Sequence, residues 1–175
     1  MIHLCEREIG FDTAEIGFPS VLGCRAIVLV TSGGLFGYHL NGNLNLAKKT
    51  AFVNFVAQHA HGNAKKALYA ASAGAGLKQD HDELKDIAAT LAYAGPIYWA
   101  SLSAAGSVYV HFQDIDHNTC SITSRAWSDP ADNVAANKVA YVAGANRAIA
   151  NGAQNANMFI NVSTVGLTAV YPKKI

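Results

Sequence analysis

A thiol, an imidazole and two glycine turns share the stretch from Gly17 to Gly42, GFPSVLGCRAIVLVTSGGLFGYHLNG. Cys24 follows Gly23 at the mouth of the β-branched run Ala26-Ile-Val-Leu-Val30. His39 closes the segment that returns after Thr31-Ser-Gly-Gly34. A hairpin brings its open ends side by side, so this spacing sets a nucleophile beside a base. The chemistry would be covalent. A thiolate attacks a carbonyl carbon, backbone N–H groups around Gly23 hold the oxyanion, and His39 carries the proton to a departing amine. The opposing reading is structural: free cysteine is among the most buried residue types, and a histidine after Gly-Tyr can be a satisfied surface residue.

The elements that must position this pair are legible around it. Ala26–Val30 carries no polar side chain and reads as a strand buried on both faces. Leu35–Leu40 reads as its partner, ended by Asn41-Gly42-Asn43, while the segment from Cys5 to Ser20 reads as irregular after a short strand at Ile2–Leu4. The spacing of Leu46, Phe52, Phe55 and Val56 predicts a helix over Asn45–Ala60, stopped by Gly62. Ala67–Ala73 reads as a strand followed by a flexible Gly74-Ala-Gly76. A second helix, capped by Asp80 or Asp82, runs to Tyr93 with Leu84, Ile87, Ala88 and Leu91 on its apolar face, and Gly95-Pro96 breaks it. Strands are expected at Ile97–Leu102, Ser107–Phe112 and Cys120–Trp127, a turn or helix start at Asp129-Pro130, a helix over Ala135–Asn151, and a closing strand pair at Phe159–Val162 and Val165–Tyr171. The whole reads as one α/β domain over residues 1–175, a sandwich-like core of mixed sheets flanked by helices.

Composition bounds the partners. With 175 residues, 51% of them hydrophobic and 14% charged, the chain is long enough for one sizeable core. A net charge of +1 without a long basic run lacks the electrostatic footprint of nucleic acid or anionic membrane. Three cysteines, Cys5, Cys24 and Cys120, without CxxC spacing suggest neither a disulfide framework nor a zinc site of the usual kind; one bridge, Cys5 to Cys120 for example, stays open, and reduced thiols are expected. The charged N-terminal segment has no apolar core of a signal peptide, so a soluble protein is expected. Neither a cofactor nor a metal is called for.

Val21-Leu-Gly-Cys24, the apolar strand after it and Gly37-Tyr-His39 resemble the catalytic hairpin of the bacterial glutamine deamidases: the cytotoxic necrotizing factor catalytic domain, the Burkholderia lethal factor and the chemoreceptor deamidase CheD. The resemblance covers Gly17–Gly42 and, loosely, the order of elements beyond. Those families set a histidine one strand pair after a cysteine on a glycine turn, and here His39 lies fifteen positions after Cys24. Two positions depart from the pattern. Leu22 stands where a serine is usual, with Ser20 nearby, and Phe18 stands where some members place a threonine that orients the histidine. Phe18 offers only its backbone carbonyl for that task.

The resemblance implies a cytotoxic necrotizing factor-like or CheD-like fold. It also implies a protein glutamine deamidase, Gln to Glu with ammonia release, and a bacterial effector or toxin found in the cytoplasm or delivered without a signal peptide. Its site would be Cys24 and His39, the Phe18 carbonyl as orienting group, and Gly23, Leu22, Ser20 and Tyr38 around substrate and oxyanion. The partner would be a protein presenting a glutamine, and a monomer is expected. Transglutamination, another thiol amidohydrolase reaction, and a non-catalytic binding or immunity module remain open alternatives. Elsewhere, His59-Ala-His61 reads as a solvated helix end rather than a metal site, and His81 as surface. His111, Gln113, Asp114, Asp116 and His117 read as a polar turn between two strands, with a partner role for His111 or His117 beside Cys120 as the open alternative. Tyr98 and Trp99 fit either a pocket wall or the core.

Overall fold

The computed structural model describes residues 1–73, 77–102, 106–144, 146–150 and 156–175, the side chains of residues 77 and 78 excepted. Strands β1 (Ile2–His3), β2 (Glu8–Asp12) and β3 (Glu15–Val21) precede the hairpin of β4 (Cys24–Thr31) and β5 (Gly34–Asn41). Then come α1 (Leu46–His59), β6 (Lys65–Ser72), α2 (Leu77–Thr90), β7 (Ile97–Ser101), β8 (Val108–Asp114) and β9 (Cys120–Ala126). The last third holds a short helix α3 (Asp129–Asp132), a 3-10 turn at Ala135–Asn137, and strands β10 (Lys138–Ala140), β11 (Arg147–Ile149), β12 (Asn157–Phe159), β13 (Thr168–Val170) and β14 (Lys173–Lys174). The fold is strand-rich, mixed α/β, with more than one mixed sheet.

One sheet has the order β11-β2-β5-β4-β6-β7-β14, antiparallel except for β6 beside β7. β4 lies at its centre with every residue buried, as expected for its Ala26–Val30 run, which has no polar side chain. A second sheet, β1-β3-β8-β9-β13, packs on one face of the first. Val28, Val30, Tyr69 and Ala71 meet Ile16, Phe18, Val110, Phe112 and Ile122 in that inter-sheet core. The alternate residues Ile27, Leu29, Phe36, Tyr38 and Leu68 face the other way, against Phe52, Phe55 and Val56 of α1 and Leu84, Ile87 and Ala88 of α2. The result is three layers: helices, sheet, sheet.

α1 begins where expected, with the Asn45 side chain accepting from the Lys48 N–H, and Gly62 beyond its end sits at φ +82°. Leu46, expected on the apolar face, is 74% exposed at the first helical residue, where the helix has not yet reached the sheet. α2 starts at Leu77, so Asp80 lies in its first turn rather than at its cap; its expected apolar face is buried. The Gly74–Gly76 loop lies outside the described residues.

Three expectations are corrected. The segment read as irregular forms β2 and β3, in which Ile9 and Phe11, then Ile16 and Phe18, alternate as strand residues do. Ala135–Asn151 is not a helix over its described residues. Lys138–Ala140 pairs with β12 and Arg147–Ile149 pairs with β2, so partners distant in sequence override the helical preference of alanine. The two final strands do not pair with each other: β12 joins β10, and β13 joins β9.

Candidate active site

Cys24 and His39 share one face of the β4–β5 hairpin. The register pairs Cys24 with Asn41 and Ala26 with His39, which makes the thiol and the imidazole diagonal neighbours. Both look into the inter-sheet space, as do Ala26 and Val28 on β4. Diagonal neighbours lie about 7–8 Å apart between backbones, within reach of long side chains. Cys24 is the first residue of β4 and stands one position outside the last pair with β6, Arg25 with Ser72. The thiol therefore sits where the central strand opens to an exposed turn of Leu22 and Gly23. Gly23 is required there by its backbone, at φ +66°, and not by space, since nothing lies within 4 Å of where a Cβ would stand.

The residues after β1 clamp His39 from two directions. Its Nδ1–H donates to the Leu4 carbonyl oxygen at 2.9 Å, and its own carbonyl accepts from the Arg7 N–H at 2.8 Å. With Nδ1 as the donor, Nε2 carries the lone pair of the neutral ring. Nε2 is buried and has no hydrogen-bond partner among the described residues. Burial lowers the imidazole's pKa, opposed by the Leu4 hydrogen bond and by the nearby Glu6 carboxylate. His39 is thus held neutral, one nitrogen fixed and the other basic.

Glu6, in the same loop, links the two groups. The Cys24 thiol approaches its Oε1 at 3.8 Å. Burial first, then the negative charge of Glu6, push the thiol up to about 11, while the Leu22 backbone N–H pulls the other way. The resting pair is therefore thiol and neutral imidazole, not thiolate and imidazolium.

Beside Glu6 opens a cavity of about 190 Å³ whose lining includes Cys5, Glu6, Pro19, Ser20, Trp127 and Phe159. Ser20 reaches it because the pairing of β3 with β8 shifts between Phe18 and Val21. That irregularity puts Ser20 at φ 58° and turns it outward. Its hydroxyl lies 3.4 Å from that of Ser107.

Not every expected site residue joins this group. The carbonyl that steers the imidazole is Leu4's, in place of the expected Phe18 carbonyl; Phe18 instead sets its ring edge-on to His39, with centroids 5.8 Å apart. Tyr38 cannot line the site. It is 0% exposed, points to the helix layer as a strand neighbour of His39 must, and stacks on Phe52. Leu4 and Glu6 are the residues of this candidate site that the sequence does not announce. The Glu8-Ile-Gly-Phe11 alternation would have marked β2, and with it a tight loop before it, but not which strand the loop covers.

The other polar clusters stand apart. His111 lies 3.7 Å from Glu15, and His117 pairs with Asp114 at 2.7 Å. Cys5, Cys24 and Cys120 are all free thiols. Burial raises the Cys5 thiol to about 12 and raises Cys120 further. Arg25, next to Cys24 but facing the helices, is held by Asp80 at 2.6 Å and Glu83 at 3.3 Å. Among the described residues there is no cluster of His, Cys, Asp and Glu able to hold a metal, and no helix long and apolar enough to cross a membrane. Comparison with protein-family models, curated proteins and solved structures finds no match.

Proposed function

We propose that the chain is a cysteine amidohydrolase that converts a protein glutamine to glutamate, acting as a toxin or effector with a cytotoxic necrotizing factor-like or CheD-like catalytic fold. The observation that carries this reading is the shared face. Cys24 and His39 are diagonal neighbours at the open end of the central hairpin, and the Leu4 carbonyl leaves Nε2 as the basic nitrogen. The hairpin's resemblance to the bacterial deamidases supplies the reaction class.

In this reading the Cys24 thiol gives its proton to His39 Nε2 as the sulfur attacks the carboxamide carbon. The S–C bond forms and the carbonyl becomes an oxyanion facing the backbone N–H groups of the Leu22-Gly23 turn. The C–N bond then breaks, and the departing nitrogen takes the proton from the imidazolium and leaves as ammonia. Water, deprotonated by His39, cleaves the thioester to glutamate and restores the thiol. Glu6 keeps the resting thiol protonated. A carboxamide N–H₂ that donates to Glu6 draws its carboxylate from the sulfur and frees the thiol for His39.

The test is ammonia release from an N-protected Gln-Gly dipeptide, with and without a primary amine, by the wild type and by Cys24→Ser and His39→Ala variants shown to be folded by circular dichroism. Release lost in both variants supports the reading. Incorporation of the amine in place of hydrolysis assigns transglutamination instead. A second reading, a binding module with Cys24 as a core side chain, draws on that residue's 6% exposure. It predicts no turnover and alkylation of Cys24 only on unfolding.

A further inference from the structure

On the opposite face of the seven-stranded sheet, α2 and the outer strands enclose a second cavity of about 360 Å³, lined by His81, Trp99, Ser101, Tyr171, Lys173 and neighbouring residues. That volume is within the range of small-molecule sites. Strand geometry explains the lining. Lys173 is the register partner of Trp99, so both side chains stand on the helix side of the sheet. Ser101 shares that face with Trp99 by alternation, whereas Tyr98 points to the other side and stacks on Tyr69. His81 reaches in from α2 and meets the Trp99 ring at 5.2 Å, tilted by 64°.

Two polar atoms in this wall are unexplained by the fold. Trp99 is 5% exposed, and its Nε1 is buried without a hydrogen-bond partner among the described residues; the same holds for His81 Nε2. Indole N–H is a donor only, and a buried donor normally finds an acceptor. Lys173 adds a cationic donor on this face, whereas Lys174, the register partner of Tyr98, points to the other, and no carboxylate side chain is among the described lining residues. Two acids of α2 look elsewhere: Asp80 and Glu83 hold Arg25, and Glu83 also accepts from the Leu44 N–H. The wall thus combines aromatic faces with donors. We propose that this cavity binds a small aromatic carboxylate, its ring against Trp99 and Tyr171 and its oxygens toward the Trp99 indole N–H and Lys173. The site is separate from Cys24 and stands whether or not the thiol is catalytic.

The experiment is a titration of the full chain with phenylacetate, followed by the indole N–H resonances of its two tryptophans, with phenylacetamide as the uncharged control. Trp99→Phe assigns the signal. The expected result is a saturable shift of the Trp99 resonance alone, with phenylacetamide and the exposed-site variant Lys173→Gln each weakening binding about tenfold, as loss of one charge-assisted hydrogen bond does. No saturable shift up to about 10 mM, equal binding of phenylacetamide, or unchanged affinity in Lys173→Gln would each overturn the proposal.

Discussion

Replacing Glu6 by Gln removes a negative charge 3.8 Å from the Cys24 sulfur and keeps the side chain's shape. The thiol stands at about 11 in place of its ordinary 9, with burial the first cause and Glu6 the second. Burial survives the substitution, so the thiol falls only part of the way back toward 9, and for each pKa unit it falls the thiolate fraction at pH 8 rises about tenfold. A less basic thiolate is also a weaker nucleophile, by about threefold per unit. The net expectation is a gain of about threefold per unit in the rate of Cys24 alkylation by neutral iodoacetamide. Anionic iodoacetate gains more, about tenfold, because the same carboxylate repels it from the sulfur in the wild type. The assay is second-order labelling kinetics read at the Cys24 peptide by mass spectrometry, which separates it from Cys5 and Cys120. Equal rates in wild type and variant for both reagents, or a slower variant, would show that Glu6 does not hold the thiol protonated.

Other consequences follow from the same geometry. Turnover should be flat across neutral pH, falling on the acid side only below the ordinary histidine pKa of 6.5, where His39, whose pKa burial lowers, takes a proton; a pH–rate profile checks this. Arg25→Met strands the carboxylates of Asp80 and Glu83 in a nearly buried setting and should destabilise the fold by about 3–5 kcal/mol in urea titration. Acid stability should depend on His3, which burial and the neighbouring His111 lower to about 4. The unfolded chain binds that proton from pH 6.5 downward and the folded chain only near 4. Stability is therefore lost as pH falls through this window, by about 1.4 kcal/mol per pH unit for this histidine, and His3→Gln should flatten the slope of urea midpoints against pH.

How much was legible depends on where each element's partners lie. The hairpin could be read because Ala26–Val30 can only be a buried strand and Ser32-Gly33-Gly34 only a turn. The pairing that follows sets Cys24 and His39 on one face without help from the rest of the chain. α1 carried its own punctuation in Asn45 and Gly62. The clamp on His39 was hidden because it is made by backbone groups of Leu4 and Arg7, which no side-chain pattern announces. Tyr38 was misplaced by sequence proximity. In a strand, adjacent residues point apart, so the neighbour of a site residue is the one least able to join it. The last third was misread because short segments such as Arg147–Ile149 take their conformation from β2, more than a hundred residues away.

The proposed chemistry has Cys24 and His39 acting together on a carboxamide. Its most direct test is covalent capture: incubate the native protein with a short peptide bearing a diazoketone in place of the glutamine carboxamide, and map the adduct. One adduct per chain is expected, on Cys24, formed by the folded wild type and absent in folded His39→Ala. Labelling that appears only after denaturation, or that proceeds unchanged without His39, would contradict it.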